Sequence, residues 1–407
     1  MHILITADGR SPIAINWIRM VLDAGHMVTL VTTYPCQKIP GVEHIIPLHV
    51  AFGSLAGGGS SPSSALRRLV RRFRPLFQAA RNTFAPLGME RAGRQFSRLV
   101  EQVKPDIVHA LRIPYEGILA SHTPPGIPLV VNIWGNDFTL HANSSRMLGR
   151  LTTGTLRRAD ALMADTRRDL RLAVRWGFDS TKPALALPSA GGIDLEQVGA
   201  AVSLPFRQEV FAKIPKDIPW VVNPRGIRAY TRTDVFFQSI PLVLNRWQNV
   251  RFLCPGMENR KEAEDWVQRL GISDHVHLLP VLSQDDLWRL FSRSVMSLSI
   301  TMHDGTPNTL LEAMACGSLP IAGDLETLRE WITPGVNGLL VDPNQPQAVA
   351  DAMLLGFTNP QLFRTAAEIN RNIILERAET RMVREKLQKF YQEILQGTGE
   401  TGLQVLS

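Results

Sequence analysis

Cysteine is scarce in this chain: 3 among 407 residues, Cys36, Cys254 and Cys316, far apart in sequence. So few thiols exclude a disulfide framework or a cysteine-rich metal cluster, and they fit a reducing compartment. Long apolar runs are missing too, none approaching the ~20 residues that a membrane span needs. The opening MHILITADG reads as a buried strand rather than as a basic leader before an apolar segment. A cytoplasmic protein is expected. No G-x-G-x-x-G follows the first strand-like run, which disfavours an NAD dehydrogenase. Nor is there an Asp-x-Asp pair or a His/Cys group at ligand spacing, so neither a metal nor a cofactor is expected.

What is present suits a soluble enzyme. With 44% apolar and 20% charged residues the chain can bury large cores, and its length suggests roughly two to three domains. Charge is concentrated. Between Arg67 and Arg98 nine arginines stand against one acid, Glu90, which leaves −1 for the rest of a chain whose total is +7. Leu66, Leu69, Val70, Phe73, Leu76 and Phe77 recur there at three- and four-residue spacing, the pattern of a basic amphipathic helix. Its functional reading is a peripheral contact with anionic lipid on the inner face of the membrane; the plainer reading is a solvated face whose apolar side packs on its own domain. No aromatic interleaving or base-reading motif accompanies the arginines, so nucleic acid is the least favoured partner.

Short apolar runs alternate with helical patterns throughout, as in βαβ units with a parallel sheet. The first half offers HILIT, a helix over Ile13 to Asp23, HMVTLVTT, DIVHAL, PLVVNIWG, ADALMADT and ALALPSAGG. The run Gly57 to Ser64 reads as a flexible loop leading to the arginine helix. A fresh strand, WVVNPRG, starts at Trp220, and RFLCPG, VHLLPV, VMSLSI, LPIAG and GLLV follow. The link between domains is expected around 200 to 218, and a last helix over roughly 371 to 395. In the first half, NIWGND (Asn132 to Asp137) places a glycine turn and polar groups after a strand, where open α/β sheets bind ligands; Asp137 or Asn136 is a candidate contact for such a ligand.

The segment Ser299 to Asp324, SITMHDGTPNTLLEAMACGSLPIAGD, carries the most chemistry. A strand runs into a polar turn, Pro307 suits a first helical position, and Thr306 can cap the helix it opens. The partial positive charge of that helix start favours a phosphate placed against Thr306 to Leu310, so Gly305, Thr306, Asn308, Thr309 and Leu310 are candidate donor-binding positions. Glu312, about one turn further in, is within reach of a ribose.

HDGTPNTLLEAMACGSLPIAGD, followed by LREWITPGVNGLLVDP, resembles the family four retaining glycosyltransferases of the GT-B fold, whose signature is two acids separated by seven residues. The resemblance is dense from about Asn223 to Tyr391 and loose before that. It departs from the pattern in having Asp304 where the first acid is usually Glu. It implies an α/β GT-B fold of two Rossmann-like parallel-sheet domains facing each other across a cleft: 1–200 binding the acceptor, 218–375 binding a nucleotide sugar, and a helix at 376–397 crossing back to the first. It also implies that Arg225, with Arg228 or Arg232 in place of a usual Lys, clamps the donor diphosphate, that Asp304 holds sugar hydroxyls, that Asp137 or Asn136 contacts the acceptor or the donor sugar, and that His109 and Gly9 lie on the acceptor or sugar side. The activity implied is transfer of a hexosyl group from a UDP- or GDP-linked donor to a hydroxyl acceptor, with retention and without metal. Other sugar-nucleotide chemistry, such as epimerisation, and non-catalytic sugar or lipid binding are the alternatives.

Overall fold

The runs expected as strands build two parallel sheets. The computed structural model describes residues 1–48, 74–206, 211–212, 214–228 and 230–397, with the backbone alone over 74–88. The first sheet holds β1 (His2–Ala7), β2 (Met27–Thr32), β3 (His44–Pro47), β4 (Ile107–Ala110), β5 (Leu129–Ile133), β6 (Ala161–Ala164) and β7 (Ala184–Ala186), in the order β3-β2-β1-β4-β5-β6-β7. Neighbouring strands are parallel throughout. Strands covered on both faces must be apolar along their whole length, and β1 is buried from Ile3 to Ala7. Helix α1 (Pro12–Asp23) opens on Ser11, whose hydroxyl accepts the Ala14 N–H, with proline in its first turn.

Helix α2 (Arg74–Val103) contains the described end of the arginine-rich stretch. Met89, Ala92, Phe96 and Val100 are buried while Glu90, Arg91, Arg94 and Arg98 are exposed. Over these residues the apolar stripe packs on its own unit. A Cβ on Gly93 would stand 2.4 Å from the His122 ring, so glycine permits the close approach there. The Gly57 to Ser64 loop and Arg67 to Phe73 lie outside the described residues.

The second sheet holds β8 (Trp220–Val222), β9 (Arg251–Pro255), β10 (Val276–Leu279), β11 (Met296–Ser299), β12 (Leu319–Gly323) and β13 (Leu339–Val341), in the order β10-β9-β8-β11-β12-β13. In both sheets the first strand of the unit lies beside the fourth. The strand order therefore reverses between β1 and β4 and again between β8 and β11, and ligands bind outside the carboxyl ends of strands at such points. Val221, Phe236, Phe237, Phe252 and Met296 lie in one buried cluster of the second unit, each large side chain worth about 1.5–3 kcal/mol on burial.

The chain divides into two compact units, Met1–Gly191 with the residues from Val383 onward, and Gly192–Met382. The division falls before the link expected at 200 to 218. Helix α3 (Leu195–Val202) belongs with the second unit because Val198 and Ala201 pack with Trp288, and Arg289 Nε donates to Ala201 O at 2.8 Å. The single terminal helix expected over 371 to 395 is two, α4 (Pro360–Arg377) and α5 (Thr380–Gln396). Between them the Ile193 N–H bonds to Ala378 O at 2.7 Å, and Glu379 accepts the Arg381 amide at 2.6 Å.

Candidate functional site

In the second unit, the loops leaving β8 and β11 carry the candidate donor residues to the point where strand order reverses. The path after β11 is tightly fixed. A Cβ on Gly323 would lie 2.4 Å from Thr301 O, so only glycine lets β12 pass this close. Met302 N–H bonds to Tyr230 O at 2.9 Å, Thr327 Oγ1 donates to Asp304 O at 3.1 Å, and Trp331 Nε1 donates to Thr306 Oγ1 at 3.0 Å.

On this frame Arg225 meets Asp304. Its Nη2 donates to Asp304 Oδ2, its Nη1 reaches Thr309 Oγ1 at 3.4 Å, and its own amide bonds to Asn223 Oδ1 at 3.2 Å. The two charged side chains are 12% and 15% exposed, dry enough for the pair to be firm and open enough for a ligand to reach it. Asp304 Oδ1 also accepts the Gly305 amide at 3.1 Å.

The sequence places a helix start at Pro307; the helix observed, Asn308–Ala315, has Pro307 as its N-cap and no side-chain cap. Thr306 does not cap because its hydroxyl is engaged by Trp331 and the residue is buried. The Leu310 side chain is buried and its N–H already turns back to Pro307 O at 3.0 Å, so Leu310 is a core residue of the helix start. The amides of Asn308 and Thr309 precede any intrahelical acceptor, and both residues are partly exposed. Glu312 is buried, accepts from Gln284 Nε2 at 3.0 Å, and is pushed up to about 7 by its burial.

The two further cations differ. Arg232, at a left-handed φ of 42°, is held by both Asp234 oxygens at 3.0 Å and also donates to Asn344. Its charge is already matched. Arg228 is exposed and donates to the Tyr230 hydroxyl at 3.0 Å, which leaves its charge uncompensated by that partner.

In the first unit, three expected site residues are structural. His109 is fully buried, takes the Tyr391 hydroxyl on Nδ1 at 2.6 Å and, with Asn132 oriented by its amide oxygen, donates from Nε2 at 2.9 Å. Burial pushes it down to about 4, so it is a neutral core imidazole rather than an acceptor contact. The Asp137 carboxylate is wholly buried and filled by Arg112 at 3.1 and 3.3 Å, the Ile113 amide at 3.2 Å and the Trp134 amide at 3.1 Å. It anchors the loop after β5 and has no capacity left for a sugar. Gly9 is buried, and a Cβ there would stand 2.5 Å from Cys36 Sγ, so it serves packing. Asn136 is half-buried on the same turn as Asp137.

A cluster not singled out from sequence surrounds the reversal point of the first sheet. Asp8 and Arg10 follow β1, Arg112 and Glu116 follow β4, and Trp134 follows β5; all line a cavity of about 310 Å³. The signal was present: RIPYEG after DIVHAL sets a cation and an acid at a strand's carboxyl end. Among the described residues no group of three or more His, Cys, Asp or Glu is placed to hold a metal ion, and no helix is long and apolar enough to cross a membrane.

The family described as Glycosyl transferases group 1 matches residues 208–373, and the Glycosyl transferase 4-like domain matches 14–186. A D-inositol 3-phosphate glycosyltransferase of Salinispora tropica is 28% identical over 223 residues, 51% of this chain and 45% of its own length. A GDP-mannose:cellobiosyl-diphosphopolyprenol alpha-mannosyltransferase of Xanthomonas campestris is 24% identical over 259 residues, 61% of this chain and 63% of its own length. These matches thus span about half to two thirds of the relatives. The Anabaena protein HepE, solved with UDP-glucose, superposes with a TM-score of 0.67 at 14% identity, covering 97% of this chain and 100% of that one. Two Rossmann-like parallel-sheet units of this kind are the GT-B class.

Proposed function

Since this chain belongs to the group 1 glycosyltransferases, we propose that it moves a hexosyl group from a UDP- or GDP-linked sugar to a hydroxyl acceptor, with retention of configuration and without a metal. The observation that carries this reading is the Arg225–Asp304 pair set beside the start of helix Asn308–Ala315 at the strand-order reversal of the second sheet. Arg225 supplies a fork for diphosphate oxygens, the first-turn amides supply further donors, Asp304 accepts sugar hydroxyls, and Glu312 accepts from the ribose. The exposed Arg228 is the second diphosphate cation, since Arg232 is neutralised by Asp234.

In the step itself the acceptor oxygen bonds to the anomeric carbon as the phosphate oxygen departs, and the acceptor proton passes to that phosphate. Charge grows on the leaving oxygen, so a donor already aimed at it lowers the barrier by about 3 kcal/mol, the size of typical single-donor deletions. One relative named above has GDP-mannose in its name and the HepE structure holds UDP-glucose, which supports either base as donor.

The same reading keeps the protein in the cytoplasm, with the arginines of Arg67 to Arg98 resting on anionic lipid. Liposome pelleting that is independent of lipid charge would remove that contact from the proposal.

A thermal-shift screen with UDP, GDP and ADP, followed by detection of nucleotide release from the matching sugar donor, tests the reaction. One nucleotide should raise the melting temperature by mass action, and release should require an acceptor. Nucleotide binding with no turnover of any donor would favour a non-catalytic sugar-binding protein; release without an acceptor product would favour other sugar-nucleotide chemistry.

A further inference from the structure

Glu312 is buried, and its carboxylate is held from a neighbouring helix. Gln284 Nε2 donates to Glu312 Oε1 at 3.0 Å. Gln284 is the first residue of helix Gln284–Arg293, which follows β10 and packs on helix Asn308–Ala315 through Trp288, Leu310, Leu311 and Met314. The start of that helix is firmly set: Ser283 Oγ accepts the Asp286 amide at 3.2 Å, and Asp286 in turn holds Arg289 at 2.8 Å. The Gln284 amide is neutral, so it orients Glu312 without cancelling the charge that an ionised Glu312 offers a ligand.

Gln284 itself is exposed. Holding an exposed glutamine in one rotamer loses about as much free energy as the hydrogen bond returns, so the bond adds little net stability. Its effect is orientation. A carboxamide has its donors on nitrogen and its acceptor on oxygen. With the nitrogen assigned to the carboxylate, Gln284 Oε1 is left without a hydrogen-bond partner among the described residues. A carboxylate and a carbonyl oxygen thus stand on neighbouring groups, and both are acceptors. A ribose presents two adjacent hydroxyls, each able to donate.

We propose that Gln284 shares ribose recognition with Glu312: its amide nitrogen orients the carboxylate, its carbonyl oxygen accepts from one ribose hydroxyl, and Glu312 accepts from the other. The proposal rests on the donor-site reading above, in which Glu312 accepts from the ribose. It makes Gln284 a specificity residue that separates ribonucleotides from their deoxy forms. A site that gives each hydroxyl its own acceptor leaves one acceptor empty when a hydroxyl is missing, and so rejects the deoxy form.

The test is isothermal titration calorimetry of the full chain with UDP, 2′-deoxy-UDP and 3′-deoxy-UDP, and with the same three forms of GDP. The wild type should bind the ribonucleotide of its preferred base about tenfold more tightly than either deoxy form, the effect of one lost hydrogen bond. Gln284→Met keeps the length of the side chain and removes both polar atoms; it should abolish the preference over one deoxy form and keep the preference over the other. A merely structural glutamine would move all three affinities together or none of them. Because Gln284 is exposed, the variant should keep the wild-type melting temperature, which certifies the fold. A preference over both deoxy forms that survives the substitution, a preference over both that vanishes with it, or a wild type that does not distinguish ribose from deoxyribose overturns the proposal. Failure of the wild type to bind either ribonucleotide removes the donor-site reading itself, whereas ribonucleotide binding with Gln284→Met indistinguishable from the wild type removes this proposal alone.

Discussion

Arg225 and Asp304, 79 residues apart in the chain, bind each other across the strand-order reversal of the second sheet. The two groups assigned to diphosphate and sugar are thus partners before either meets a ligand. Binding of a donor exchanges one set of charge-assisted hydrogen bonds for another, which limits how much of the new contact is gained as affinity.

A double-mutant cycle on this pair should give a coupling of about 1–3 kcal/mol in urea denaturation, between the limits for exposed and fully buried pairs. Arg225→Ala should lower kcat/KM by roughly a hundredfold or more, the size of losing one donor to a developing charge. Retention of wild-type transfer in Arg225→Ala would remove this residue from the donor site.

Glu312 has its carboxyl raised from the ordinary 4.5 to about 7 by burial. A raised acid favours the protonated fold, so its contribution to stability is complete below pH 4.5 and is lost as pH rises through about 7. Wild-type protein should lose roughly 2–4 kcal/mol from this source between pH 4 and 8, and Glu312→Gln should lose none of it. If the Glu312 anion accepts the ribose hydroxyls, nucleotide affinity should rise over the same interval in the wild type and stay flat in Glu312→Gln. Parallel pH profiles for both proteins would count against the role.

Asp137→Asn replaces a wholly buried carboxylate that satisfies four donors. Because this strands the Arg112 charge, a stability loss of about 3–5 kcal/mol is expected. Nucleotide affinity of the folded fraction should be unchanged, as measured by titration below the melting temperature. Lost affinity with unchanged stability would restore Asp137 to the binding machinery.

Tyr391→Phe leaves His109 Nδ1 without its donor inside the core and should cost about 1–3 kcal/mol. His109 is pushed down to about 4, so the stability it confers is present above its ordinary 6.5 and is lost as pH falls through about 4. Acid unfolding of His109→Gln, followed by circular dichroism, should therefore begin at lower pH relative to its own neutral-pH stability than in the wild type. An identical acid midpoint shift in both would contradict this.

The strands were legible because buried parallel strands are written as unbroken apolar runs, and twelve of thirteen lie within the runs read from sequence. The exception, β3 (His44–Pro47), has partly exposed residues and no such run. The candidate donor block could be picked out because a glycine-proline turn, two acids and a following strand occur in fixed order. What sequence could not tell was which polar groups had already found partners. Asp137 and His109 stand at strand ends, as a ligand-binding residue would, yet their hydrogen bonds come from residues such as Arg112 and Tyr391, and nothing local encodes those pairings. Glu116 stands at a similar strand end and keeps one oxygen unsatisfied among the described residues, as does Asn136 beside Asp137.

The first unit is assembled from both ends of the chain, residues 1–191 and those from Val383 onward. Its core partner for His109, Tyr391, follows the whole of the second unit in the chain. During translation the second unit, an uninterrupted stretch, can complete its own core as soon as it emerges, while the first must wait for α5 although its chain began earlier. Loss of α5 therefore injures the half of the protein whose synthesis began first.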